Sequence, residues 1–237
     1  MADLLSLSTS ANWNQLEADW RRLLTLEPEG CFGIEDGGRI VASGTVITYS
    51  STLAWIGMIL TLPECRGRGF ASQLMQRCLD FCAARAITCV KLDATDLGRP
   101  LYAKLGFVEE YVVERWRGDL PESPRAEFPF DPAIDRQAFG ADRSRLLVLT
   151  GPARPGRVAS HLGPIVCRTA AEARARVLGA GVSGVALWDI PEPNAAARTL
   201  AAELGFTPVR QLWRMRKGPP VAERPDLVFA LAGFELG

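Results

Sequence analysis

Apolar positions recur in this chain at two spacings, and the changes between them lay out its elements. Leu16, Trp20, Leu23 and Leu24 stand three and four apart, which predicts a helix over 14–26 behind a shorter one over 3–9, with Asn12 or Asn14 capping the second. From Cys31 the pattern turns to strand runs broken at Asp36-Gly37-Gly38 and at Ser50-Ser51-Thr52, predicting an antiparallel meander of three strands over 31–62. Between Phe70 and Ala84, Phe70, Leu74, Cys78, Phe81 and Cys82 share one side, opposite Gln73, Gln76, Arg77 and Asp80. That is an amphipathic helix lying on a sheet. A strand over 88–94 follows, parallel to the one before the helix, as a strand-helix-strand crossover requires. A short helix over 100–105, closed by Gly106, leads into a strand over 107–116.

Pro121, Pro124, Pro129 and Pro132 then crowd one short segment, so residues 119–137 read as a linker. Beyond it the first half returns in faded form. Leu105-Gly106-Phe107 has its counterpart in Leu204-Gly205-Phe206, with the glycines 99 positions apart, and the same offset carries Arg115-Trp116-Arg117 onto Arg214-Met215-Arg216. The strand ending at Asp189 reads as the copy of the strand ending at Asp93. This is the mark of a duplicated unit. The expected fold is α/β, with domains over 1–118 and 138–237, each a mixed, mostly antiparallel sheet flanked by helices. In the copy, the join Gly163–Thr169 runs straight into a helix over 170–178.

Composition narrows the chemistry. Lys plus Arg and Asp plus Glu are 27 each, which gives no support to a broad basic face for nucleic acid. Six cysteines without C-x-x-C spacing and a single histidine argue against a metal site and for reduced thiols. No stretch approaches the roughly 20 apolar residues of a membrane span, and the N-terminus lacks the pattern of a secretory leader. A soluble, cytoplasmic protein is expected.

The candidate chemistry lies between the third strand and the amphipathic helix, at Arg66-Gly67-Arg68-Gly69. A helix start exposes unpaired N–H groups and partial positive charge; the two glycines clear the approach and the two arginines add formal charge. Cys65 beside them reads as a bystander thiol. Arg66-Gly67-Arg68-Gly69-Phe70-Ala71 resembles the Q/R-x-x-G-x-G/A acyl-CoA signature of the GCN5-related N-acetyltransferases, and Pro100–Phe107 is similar to that family's Y-x-K-x-G-F element.

The resemblance implies an acetyl-CoA-dependent N-acetyltransferase without a metal, acting on an amine of a small molecule or protein by direct attack. It assigns the backbone of Ile59, Leu60 and Thr61 to the pantetheine arm and thioester. The N–H groups of Gly67, Arg68, Gly69, Phe70, Ala71 and Ser72, with the charge of Arg66, fall to the pyrophosphate. Tyr102 falls to protonation of the leaving thiolate. It also implies a tandem protein whose second copy has lost its site, since Ala201 stands where the repeat would put Tyr102, and Asn194 where the first half has Thr95. The family's first strand is missing, and Leu227–Leu231 is a candidate to fill that sheet edge. No acid lies between Thr52 and Leu62, which leaves the general base to a water chain, Asp93 or Glu35. Otherwise Asp93 and Asp189 read as caps, Trp13, Trp55 and Trp116 as core, and His161 has no role. The alternative is a non-catalytic acyl-CoA-binding sensor. Expected partners are acetyl-CoA and the amine acceptor, with neither nucleic acid nor membrane; a homodimer through the second half is left open.

Overall fold

The computed structural model describes residues 1–237. Helices α1 (Ala2–Ser10) and α2 (Glu17–Leu26) precede the meander β1 (Cys31–Asp36), β2 (Arg39–Thr48) and β3 (Leu53–Thr61). Then follow α3 (Phe70–Ala84), β4 (Cys89–Ala94), α4 (Arg99–Lys104) and β5 (Val108–Leu120). The second half comprises α5 (Pro132–Phe139), α6 (Ser144–Leu147), β6 (Ala153–Arg154), β7 (Ser160–Leu162), β8 (Ile165–Val166), α7 (Ala170–Leu178), β9 (Gly184–Pro191), α8 (Ala195–Glu203), β10 (Thr207–Lys217) and β11 (Val228–Ala230). No helix is long and apolar enough to cross a membrane.

Helix α3 spans the residues its pattern predicts, burying Leu74, Met75, Cys78, Phe81 and Cys82 against the sheet. Each large apolar side chain so buried contributes roughly 1.5–3 kcal/mol relative to exposure. The meander and the parallel β3–β4 pair also form as expected. Both copies of the Leu-Gly-Phe element close a helix identically. Gly106 (φ +87°) and Gly205 (φ +80°) take the left-handed position, and Phe107 and Phe206 donate their N–H groups to the carbonyls of Tyr102 and Ala201.

The two halves share one nine-stranded sheet, ordered β1-β2-β3-β4-β10-β5-β9-β7-β6. β5 and β10 are the equivalent last strands of the repeat, and each lies beside the other half's parallel pair. β10 adds to β4, β5 adds to β9, and the two exchanged strands pair with one another. The exchange is pinned by two equivalent buried ion pairs. Arg214 of β10 lies opposite Asp93 of β4 and donates Nε and Nη2 to its carboxylate at 2.9 and 2.8 Å. Arg115 of β5 lies opposite Asp189 of β9 and does the same at 2.7 Å twice. An aromatic ring covers each guanidinium, Trp55 over Arg214 and Phe234 over Arg115, both at 4.4 Å.

Several expectations are corrected. Asp93 and Asp189 are not caps, and they stand 96 rather than 99 positions apart; what makes them equivalent is their arginine partners. Neither Asn12 nor Asn14 caps α2. The N–H of Leu16 is taken by Asp19, while Asn14 is buried and holds the loop at Val158–Ala159 by three hydrogen bonds. Residues 227–231 do not fill the sheet edge, because β11 pairs with β8 in a separate two-stranded sheet and β1 remains the edge. The proline-rich segment ends early: Pro132 starts α5, at the position where its missing N–H costs nothing, and Asp131 caps it.

Candidate active site

β3 and β4 pair only from Leu53–Trp55 to Cys89–Lys91 and then diverge. Past Trp55, the β4-facing edge of β3 has no strand beside it. Two residues of β3, Met58 and Ile59, stand against Gly44 alone, because the register passes from Ser43–Leu60 to Thr45–Gly57. This bulge forces Met58 to φ +51°, a rare conformation for a side-chain-bearing residue, and the Ser43 hydroxyl holds it by donating to the Met58 carbonyl at 2.9 Å.

The divergence opens a cleft walled by Ile56–Ile59, Leu92, Asp93, Thr95 and Tyr102 on the first half's side. Arg115, Arg210, Leu212, Phe234 and Glu235 close it, with Trp13 and Gln15 at the front. Trp13 is therefore a cleft residue rather than core, whereas Trp55 and Trp116 are packed inside.

The predicted loop sits where β3 hands over to α3. Arg66, Gly67, Arg68 and Gly69 are exposed, Phe70 and Ala71 half-buried, and Ser72 exposed. Gly67 (φ +77°) and Gly69 (φ +80°) are in the left-handed region, and a Cβ at either would meet nothing within 4 Å, so the loop presents open backbone. Gly69 is the N-cap of α3, no side chain caps the first turn, and no acid lies in it. That first turn remains available to an anion. Arg68 lies over Phe70 and pairs at 2.5 Å with the exposed Asp36, an ion pair that an arriving phosphate can displace at little cost. Arg66 is tethered only to the Thr61 carbonyl, at 3.4 Å. Leu60 is buried and Thr61 half-buried, both paired with β2. Cys65 is buried, its sulfur 4.0 Å from Arg68 Nη1.

A valine at Gly69 tests this geometry. Forcing a β-branched residue into the left-handed region costs roughly 1–2 kcal/mol, too little to unfold the protein. The expected result for Gly69→Val is an unchanged circular dichroism spectrum, with affinity for acetyl-CoA, the ligand the sequence resemblance implies, lowered on the order of 100-fold by calorimetry.

Tyr102 projects from α4 into the cleft, 8% exposed, with its ring 6.2 Å from Phe107. Burial, and secondarily Cys78, raise its hydroxyl above the usual phenol range, so it holds its proton at neutral pH. Asp93 lines the cleft too, but Arg214 occupies both its oxygens. Glu35 is exposed on the edge strand β1, away from the cleft. Neither is placed to take a proton from an amine.

Glu235 also lines the cleft, and sequence reasoning missed it. The segment Phe234–Gly237 crosses back onto the first half: Trp55 Nε1 donates to the Phe234 carbonyl at 3.0 Å, and the Tyr49 hydroxyl to the Leu236 carbonyl at 2.6 Å. Gly57 permits this approach, since a Cβ there would lie 2.8 Å from the Glu235 Cα. The Glu235 carboxylate accepts from Gln15 Nε2 at 3.2 Å and from Arg154 Nη2 at 3.5 Å, and burial raises it above the ordinary carboxylate range against the pull of Arg154. The one signal in the sequence was a lone acid in the apolar run Phe229–Leu236.

The preceding residues occupy the corresponding place in the second half. There β7 and β9 are the parallel pair and β8 turns away, opening the same divergence, but the chain fills it with its own backbone. β11 pairs with β8, Leu231 donates its N–H to the Asp189 carbonyl, and Trp188 and Asn194 side chains donate to the carbonyls of Phe229 and Val228. His161 bonds the Leu231 carbonyl at 3.2 Å and is neutral, its pKa lowered to about 3 by burial. Asn194 also caps α8, and Ala201 is fully buried.

Comparison with known proteins agrees with both halves. Residues 2–107 match the model of the acetyltransferase (GNAT) family, and residues 150–230 match that of an acetyltransferase (GNAT) domain. The holothin acyltransferase of Pseudoalteromonas sp. (strain SANK 73390) is 29% identical over 106 residues, which is 45% of this chain and 35% of that protein. The chain thus spans about a third of the length of that curated relative. Among solved structures, a candidate acetyltransferase from Pyrococcus horikoshii superimposes with a TM-score of 0.84 at 24% identity, covering 100% of this chain and 92% of the other. A tandem GNAT protein from the clavulanic acid biosynthesis pathway gives 0.62 at 15% identity, covering 92% and 94%. Both share the fold of the whole chain.

Proposed function

Because the chain belongs to the GNAT acetyltransferase family, we propose that it moves an acetyl group from acetyl-CoA to an amine of a small molecule or protein. In this reading residues 1–118 form the catalytic unit, and 138–237 a degenerate partner joined through 119–137. The observation that carries it is the juxtaposition in one cleft of the bulged, unpaired edge of β3, Tyr102 and Glu235, with the uncapped start of α3 at the end of the same strand-loop-helix unit.

When bound, acetyl-CoA supplies an activated acetyl thioester. The N–H groups from Gly67 to Ser72, with the charges of Arg66 and Arg68, would hold its pyrophosphate. The free edge of Ile59, Leu60 and Thr61 would hold the pantetheine arm, and backbone donors at the bulge would polarise the thioester carbonyl. Glu235 removes a proton from the acceptor amine, its raised pKa bringing it closer to the range in which a base works well. Tyr102, protonated at neutral pH, gives a proton to the departing sulfur.

The alternative, a sensor that binds acyl-CoA without turnover, is motivated by the absence of a base in β3 and by the degenerate second half, and in the present reading Glu235 answers the first of these. Release of free CoA across a broad amine panel separates the two readings: release above background supports transfer, and its absence with intact acetyl-CoA binding supports the sensor. For Tyr102→Phe, the expected result is kcat lowered roughly 100-fold with acetyl-CoA affinity unchanged by calorimetry.

A further inference from the structure

The cleft's charges balance except for one. Asp93 is matched by Arg214, and Asp189 by Arg115. Asp19 and Glu235 are matched by Arg22 and Arg154. His161 is neutral. Arg210 has no carboxylate within 4.0 Å; the nearby Asp96 is hydrogen-bonded to Trp213 Nε1 at 3.1 Å.

Arg210 is an exposed residue that lines the cleft. It lies directly opposite Arg115 across the β10–β5 pair, and both line the cleft. Like charges facing each other in that register repel, and the guanidinium of Arg115 is already committed to Asp189. An exposed arginine that lines the cleft and has no carboxylate partner keeps its donors free for an arriving anion. The opposite polarity stands nearby: the Glu235 carboxylate, and the Gln15 Oε1, which is buried without a donor. Those two groups suit the N–H donors of an amine.

We infer that the acceptor is a small amine that also carries a carboxylate, with Arg210 binding the carboxylate while Glu235 and Gln15 receive the amine. The inference rests on the acyl-transfer reading above and names its substrate class. It places the two charges of an amino-acid-like molecule on opposite groups that line one cleft, which the loop proposed for the pyrophosphate does not line.

The test uses a series of α-amino acids, each supplied as free acid and as primary amide, with kcat/KM read from CoA release. The intact protein is expected to favour the acid at least tenfold, about 1.4 kcal/mol. Arg210→Gln is expected to bring the two forms within roughly threefold by raising KM for the acid, and Arg210→Lys to restore part of the preference. Equal use of acid and amide by the unaltered protein, or a rise in KM for acetyl-CoA instead of the acceptor, overturns the inference. Calorimetry with N-acetyl amino acids and their amides decides it independently of turnover: binding of the acid alone, weakened in Arg210→Gln, supports the anion site, and indifference to the carboxylate overturns it. Absence of CoA release with every amine would instead defeat the acyl-transfer reading, while that binding comparison still judges Arg210.

Discussion

Glu235→Gln is expected to lower kcat roughly 100- to 1,000-fold while leaving acetyl-CoA affinity within about twofold, the range a positioned general base contributes. Glutamine keeps the shape and the hydrogen bond with Gln15, and it removes a charge whose burial is unfavourable, as the raised pKa states. Folding should therefore survive, and circular dichroism checks that it does. The pH profile supplies the sharper readout. A base must be ionised to act, so activity falls as pH drops through the raised pKa of Glu235, and that acidic limb should be absent from the residual activity of the variant. An unchanged rate and profile would leave the proton to solvent and remove Glu235 from the mechanism.

The second large effect is on stability. Asp189→Asn leaves the largely buried Arg115 guanidinium beside an uncharged amide, and breaking a buried pair from one side costs roughly 3–5 kcal/mol. For a chain of this size that lowers Tm by roughly 10 °C, measurable by calorimetric unfolding. Replacing both members by leucine and methionine should recover much of the loss, because the penalty lies in the orphaned charge. Burial alone would raise the Asp189 carboxyl, but Arg115 outweighs it, with His161 and Arg154 behind, and the net shift is downward. A carboxyl depressed in the folded state adds stability above its unfolded value of about 3.9, and that increment is lost as pH falls through the lower folded value. The native protein should therefore keep this contribution at neutral and mildly acidic pH, and the difference between it and Asp189→Asn should shrink only in strong acid.

Much of the first half was legible because its signals are local. The boundaries of α3 followed from a glycine loop meeting an amphipathic run, and Gly106 marked the end of α4 through the one backbone conformation that favours glycine. The strand exchange was not legible for a physical reason. β5 and β10 are copies with an arginine at the same place, Arg115 and Arg214, and each would find an aspartate whether it paired within its own half or across. Nothing local distinguishes the two pairings; only the connections and the packing between halves decide. The tail posed the same difficulty. Leu227–Leu231 reads as an edge strand, and its actual place, plugging the second divergence, depends on β8 having turned away from β9. Glu235 then reaches the first half's cleft only because that plug carries the chain across and Gly57 has no side chain.

The central claim is that one half of a duplicated unit keeps its cofactor groove while the other fills the same groove with the C-terminal segment. Titration calorimetry of the full chain with acetyl-CoA tests it most directly. The expected result is one molecule bound per chain, with affinity lowered on the order of 100-fold in Gly69→Val. Two molecules per chain, none, or a single site indifferent to Gly69 would contradict it.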